Sequence, residues 1–133
     1  MDILVVEDDA ISARALSRLL KFKGHAIEVA ATCREALAAA EMFRFDLAIL
    51  DLTLPDGDGC DLLAKLLTQR PVKSIALTGH SFAEETQRII AAGFNTYLLK
   101  PVTADRVYEA IEELRRGPQN LLGSVTWSTK APD

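Results

Sequence analysis

Five residues whose side chains could do chemistry come directly after short apolar runs. Glu7 and Asp8 follow Ile3-Leu4-Val5-Val6, Asp51 follows Leu47-Ala48-Ile49-Leu50, Thr78 follows Ile75-Ala76-Leu77, and Lys100 follows Tyr97-Leu98-Leu99. Carboxylates, a hydroxyl and an ammonium are not what an apolar core is built from. Glu7, Asp8 and Asp51 bring three negative charges and Lys100 returns one, leaving two in excess. Carboxylates crowded into a partly desolvated cleft do not all ionise unless a cation joins them. A hard divalent ion with oxygen ligands restores neutrality, and Mg²⁺ is favoured where phosphate oxygens complete the shell. Phosphoryl transfer is the reaction that suits such a set. It needs positioning and neutralisation of the equatorial oxygens more than covalent help from the protein. Mg²⁺, Lys100 and the Thr78 hydroxyl could each take one of those oxygens. Asp9 has a plainer use, as the cap of a helix beginning at Ala10.

These groups work together only if the apolar runs lie side by side. None of the four alternates polar with apolar, so each reads as a strand buried on both faces of a parallel sheet covered by helices. A fifth candidate, His25-Ala26-Ile27-Glu28-Val29, does alternate and reads as an edge strand. Helices separate the strands. Over residues 11–22, Ile11, Ala15, Leu19 and Phe22 share one apolar face, and Gly24 is placed to end the helix in a left-handed conformation. Thr32-Cys33-Arg34-Glu35 and Ser81-Phe82-Ala83-Glu84 match the capping box and open helices that run to about Phe43 and Ala92. A further helix covers about 59–69, and a last one runs from a Thr103 cap to Arg116, where Gly117-Pro118 stops it. Five β-α units with right-handed crossovers imply a doubly wound α/β sheet. In such sheets ligands bind at the carboxyl ends of the strands, which is where the five residues fall.

The rest of the composition narrows the function. A chain of 133 residues builds one core, and 49% hydrophobic with 26% charged residues is ordinary for a globular protein. No apolar run approaches the roughly 18 residues that span a bilayer, and the start lacks a basic secretion signal, so a cytoplasmic location is expected. The net charge of −4, with both signs dispersed, argues against nonspecific nucleic-acid binding. Cys33 and Cys60 have neither metal spacing nor a disulfide framework and read as buried free thiols. His25 reads as structural.

Ile3-Leu4-Val5-Val6-Glu7-Asp8-Asp9, Asp51-Leu52-Thr53-Leu54-Pro55-Asp56-Gly57-Asp58-Gly59, Ala76-Leu77-Thr78-Gly79 and Tyr97-Leu98-Leu99-Lys100-Pro101 together carry a resemblance. In this order and spacing, residues 2–116 resemble the receiver domain of bacterial two-component response regulators. The resemblance implies a flavodoxin-like fold, a five-stranded parallel sheet of order 2-1-3-4-5 flanked by five helices. It implies phosphorylation at Asp51, with Mg²⁺ held by Glu7, Asp8, Asp51 and the Thr53 carbonyl. Lys100 would contact the phosphoryl group, ahead of a Pro101 bond that is usually cis in the family. Thr78 would move toward a phosphoryl oxygen and Tyr97 would turn inward with it, altering the face of the fourth helix, fifth strand and fifth helix. Tyr97 read without the family is an aromatic covering the core. Thr53 and His80 stand where the family tunes phosphoryl lifetime; His80 is either a gate over the site or an exposed loop histidine.

The expected activity is therefore a signalling switch, not an enzyme acting on a separate substrate. Its donor would be a histidine kinase or a histidine phosphotransfer protein, and its output a downstream protein. A phosphorelay carrier that passes the group on is the alternative. A haloacid-dehalogenase-like phosphatase is disfavoured, because such enzymes carry a second Asp two residues after the nucleophile and Thr53 stands there. A DNA-binding module is disfavoured too, since only 17 residues follow the last helix. That tail, 117–133, holds Leu121, Leu122, Val125 and Trp127, and reads either as a disordered or folded-back end or as a docking or homodimer segment.

Overall fold

The computed structural model of the chain describes residues 1–79 and 83–116. Five strands form one parallel sheet: β1 (Asp2–Val6), β2 (Ala26–Ala30), β3 (Leu47–Asp51), β6 (Lys73–Thr78) and β7 (Thr96–Leu99), in the order β2-β1-β3-β6-β7. This is the expected topology. Its fourth and fifth strands are numbered β6 and β7 because a small antiparallel hairpin, β4 (Thr53–Leu54) and β5 (Gly57–Asp58), intervenes where the sequence suggested only a tight turn. The helices are α1 (Ala10–Phe22), α2 (Cys33–Met42), α3 (Gly59–Gln69), α4 (Ala83–Ala92) and α5 (Ala104–Arg116).

The sheet separates two apolar layers, and its period of two decides which residue joins which. Ile3 and Val5 of β1 pack with Leu16 and Leu20 of α1 and with Val107, Ile111 and Leu114 of α5. Leu4 and Val6 point the other way, to Ala36 and Ala40 of α2, Leu62 and Leu66 of α3, and Ile89 of α4. Both faces of β1, β3 and β6 are therefore covered, as uninterrupted apolar runs require. Strand β7 departs from that expectation. It is an edge strand, and Leu99 is 41% exposed.

Local signals set the helix ends. Asp9 caps α1 by accepting from Ser12 N at 3.0 Å, and Thr32 caps α2 by accepting from Glu35 N at 3.0 Å. The Glu35 carboxylate returns to Ala31 N at 2.9 Å, one residue earlier than the capping box places it. Gly24 ends α1 with φ of 90°, a conformation that a side chain would strain. The Ser81 cap expected for α4 lies outside the described residues.

The inward face of α1 corrects the sequence reading. Ala13, Leu16 and Leu20 face the sheet with Ser17, whereas Ile11 is 77% and Phe22 83% exposed. The helix carries two apolar stripes, and the approach of β1 and the Asp8-Asp9 turn aims the other one inward. The cysteines also differ from expectation. Both thiols are free, but they are half-buried rather than buried, and burial first of all pushes each up to about 11. Such thiols stay protonated and inert at neutral pH.

Candidate functional site

The carboxyl ends of β1, β3, β6 and β7 bring the predicted residues together. Glu7 follows β1 and is fixed there by its N–H, which donates to Ala30 O of β2 at 3.0 Å. Asp51 is the last residue of β3, and its rung neighbour on β6 is Leu77. Thr78 ends β6 one step further on, opposite Leu99 of β7, and its carbonyl accepts from Lys100 N at 2.8 Å. Glu7, Asp51 and Thr78 are buried, and Asp8 is exposed. One carboxylate oxygen from each of Glu7, Asp8 and Asp51 falls within a 4.8 Å cluster.

Lys100 crosses the mouth of this cluster. Its Nζ lies 2.6 Å from Asp51 Oδ2 and 3.0 Å from Glu7 Oε1. The other oxygens are also engaged: Asp51 Oδ1 accepts from Thr53 N at 3.0 Å, and Glu7 Oε2 from Asp9 N at 3.2 Å. Burial pushes the Glu7 carboxyl above its usual range; the Lys100 bond opposes this, and the neighbouring Asp51 carboxylate adds to it. For Lys100, burial works against the charged form, but the bonds to Asp51 and Glu7 outweigh it and hold the ammonium above its ordinary value. One ammonium is thus shared between two buried carboxylates, with a third at the rim.

An all-oxygen donor set with surplus negative charge fits a hard divalent cation, and Mg²⁺ in particular where water and phosphoryl oxygens fill the remaining positions. Glu7, Asp8 and Asp51 would hold it with the Thr53 carbonyl. The Thr53 side chain faces solvent beside the site. Tyr97 is half-buried against the layer under α4, two residues before the exposed Leu99. The Lys100-Pro101 bond is cis. A groove leads from Glu7 and Lys100 past Pro101 and Val102 along Ala15 and Leu19 of α1. His80 and the tail lie outside the described residues.

Residues that the sequence reading passed over connect the site to its surroundings. Asp58 caps α3, accepting from Cys60 N at 2.6 Å, and pairs with Arg88 of α4, which also meets Glu85 at 3.0 Å. Asp56 accepts from Cys33 N at 2.7 Å and Arg34 N at 3.1 Å, at the start of α2. Asp58 was legible as an Asp just before a helix. Nothing local reveals the partner of Asp56, which is over twenty residues away.

A doubly wound sheet with an acidic pocket and a lysine at its carboxyl edge is the arrangement of receiver-type domains. The model of the response regulator receiver domain matches residues 3–112, and the chain belongs to that family. It is 36% identical to a CheY-like response regulator receiver domain protein from Methanospirillum hungatei, over 87% of this chain and 98% of that one, with a TM-score of 0.80. It is 28% identical to the signal transduction histidine-protein kinase BarA of Shigella flexneri over 88% of this chain, and 33% identical to the probable transcriptional regulatory protein TcrX of Mycobacterium tuberculosis over 86%. The chain spans only 13% of the first of these and 49% of the second. The expectation of no nucleic-acid partner finds no support in relatives that include a probable transcriptional regulatory protein. Among the described residues no helix is long and apolar enough to cross a membrane.

Proposed function

We propose that this domain is a phosphorylation-dependent signalling switch that accepts a phosphoryl group on Asp51 from a phosphohistidine donor. The observation that carries the reading is the shared ammonium, Lys100 Nζ at 2.6 Å from Asp51 and 3.0 Å from Glu7, in a pocket with surplus carboxylate. An Asp51 oxygen would attack phosphorus as the donor's N–P bond breaks, and the histidine nitrogen would leave with the bond's electron pair. Asp51 then becomes an acyl phosphate whose charge has moved outward onto the phosphoryl oxygens. Lys100 would follow that charge, and the buried Thr78 hydroxyl would take a second oxygen. Bound Mg²⁺ would supply charge neutralisation for the same oxygens. Cytoplasmic location follows from the donor this chemistry requires.

A phosphoryl group adds about −1.5 to −2 charge, enough to bias two packings of one fold. The face that would respond is built from α4, β7 and α5. Thr78 and Tyr97 connect it to the site, and Ile90 and Leu99 offer it exposed apolar contact. A downstream protein would read this face. Similarity to the kinase BarA favours a second reading, a relay domain that hands the group to a histidine phosphotransfer protein. Back-transfer to such a protein separates the two.

The test is incubation with a small-molecule phosphodonor, with and without Mg²⁺, followed by intact-mass measurement of the wild type and Asp51→Asn. A Mg²⁺-dependent phosphoryl adduct on the wild type only is expected. An equal adduct on the variant, or none on either, defeats the reading.

A further inference from the structure

We propose that Asp56 is a positioning residue of the acceptor site, holding the β4–β5 hairpin, and with it Thr53, by capping α2 from outside that helix. The inference rests on the phosphoacceptor reading above. Helix α2 begins with three amides to satisfy, those of Cys33, Arg34 and Glu35. Its own cap, Thr32, accepts only from Glu35 N, at 3.0 Å. The other two donate to one carboxylate, Cys33 N to Asp56 Oδ1 at 2.7 Å and Arg34 N to Oδ2 at 3.1 Å. A carboxylate taking two amides at a helix N-terminus gains both charge-assisted bonds and the helix dipole.

The tether reaches the chemistry because the hairpin is short. Asp56 sits in its turn, and Thr53 pairs with Asp58 at its open end. Thr53 N holds Asp51 Oδ1 at 3.0 Å, and the Thr53 carbonyl is the backbone ligand expected for Mg²⁺. Three further contacts leave the hairpin little freedom. Leu54 is buried, a side chain at Gly57 would come within 3.0 Å of Cys33 Sγ, and Asp58 pairs with Arg88 of α4. The Arg88 pair is half open to water and contributes little by itself. Asp56 is exposed too, but it is the tether that fixes the hairpin turn to backbone amides of another helix by two bonds, and it orients a metal-side backbone group without touching the phosphoryl group.

The full chain would be compared as wild type, Asp56→Ala, Asp56→Asn and Thr32→Ala. The readouts are Mg²⁺ affinity by calorimetry and amide exchange across residues 52–59. Thr32→Ala weakens the same helix end while leaving the hairpin tether in place, so it isolates a merely structural effect. Asp56→Ala is expected to raise the Mg²⁺ dissociation constant three- to tenfold and to speed hairpin exchange. Asp56→Asn keeps one accepting oxygen but turns an NH2 toward the second amide, so it should recover only part of both. Unchanged hairpin exchange in Asp56→Ala, or an equal change in Thr32→Ala, overturns the inference. A wild type that binds no Mg²⁺ defeats the phosphoacceptor reading instead, and the exchange comparison still decides the role of Asp56.

Discussion

Lys100 Nζ lies 2.6 Å from Asp51 Oδ2, although their strands, β7 and β3, are separated by β6. Two strand spacings amount to about 10 Å, so only a long side chain leaning across the top of β6 makes this contact. The same ammonium also reaches Glu7, at the end of the next strand, β1. What charge compensation the apo pocket has thus comes from one flexible cation that bridges groups of three strands.

Removing that cation should be felt before any phosphoryl group arrives. Lys100→Ala leaves Glu7 and Asp51 buried without their shared donor. It is expected to lose about 1–2 kcal/mol of stability in Mg²⁺-free urea titrations, the low end for orphaned buried acceptors, because the Lys100 side chain is partly open to water. Phosphoryl uptake from a small donor should slow by about 10²-fold, as for loss of one oxyanion donor. A variant as stable and as fast as the wild type would contradict the bridge.

Asp51→Asn should behave in the opposite sense. It removes one of three crowded negative charges while keeping an acceptor for the Thr53 N–H. The apo variant is expected to match or exceed wild-type stability. Mg²⁺ at ten times its dissociation constant should stabilise the wild type by about 1.4 kcal/mol and the variant by much less. Strong destabilisation of the apo variant would count against charge crowding.

Gly59 and Gly79 make a paired test of loop packing. A Cβ at Gly59 would collide with the Asp51 carbonyl oxygen and meet Leu52 Cα at 2.9 Å, both backbone that cannot move aside alone. Gly59→Ala should cost about 1–3 kcal/mol or more and impair phosphoryl uptake, since the displaced atoms adjoin the acceptor. Among the described residues nothing lies within 4 Å of a Cβ at Gly79, so Gly79→Ala should fold normally. Equal melting temperatures for the two variants would refute the packing argument.

His25 gives a pH dependence whose sign is defined. The ring is buried, with Nδ1 3.1 Å from the Met1 amine. Burial first, then the positive charges of that amine and of Arg115, push its pKa below the ordinary 6.5, with Glu112 opposing weakly. The unfolded chain therefore takes up this proton first. The stability linked to His25 is complete above about pH 6.5 and is lost as pH falls toward the folded value. Urea titrations at pH 7.5 and 5.5 should show a smaller acid loss for His25→Gln than for the wild type. Equal losses would remove His25 from the account.

That Asp51, its acidic neighbours and Lys100 stand at strand ends was legible from sequence because each directly follows an apolar run, and a strand's carboxyl end is a local fact. The doubly wound parallel sheet was legible for the same reason, since uninterrupted runs need cover on both faces and short connections leave few topologies; its strand order was implied by the family resemblance. The inward face of α1 was not legible. Ile11, Ala15, Leu19 and Phe22 make as good a stripe as Ala13, Leu16 and Leu20, and the choice depends on how the turn after β1 delivers the helix. Nor could sequence show that Asp56 belongs to α2, that Asp58 belongs to α4 through Arg88, or that Leu99 is exposed. Those are contacts between elements, and their energies exist only once the sheet has brought the elements together. What the sequence alone determined is the set of groups at the strand ends; the tertiary structure decided how one ammonium is shared among them and which helices hold the hairpin that follows Asp51.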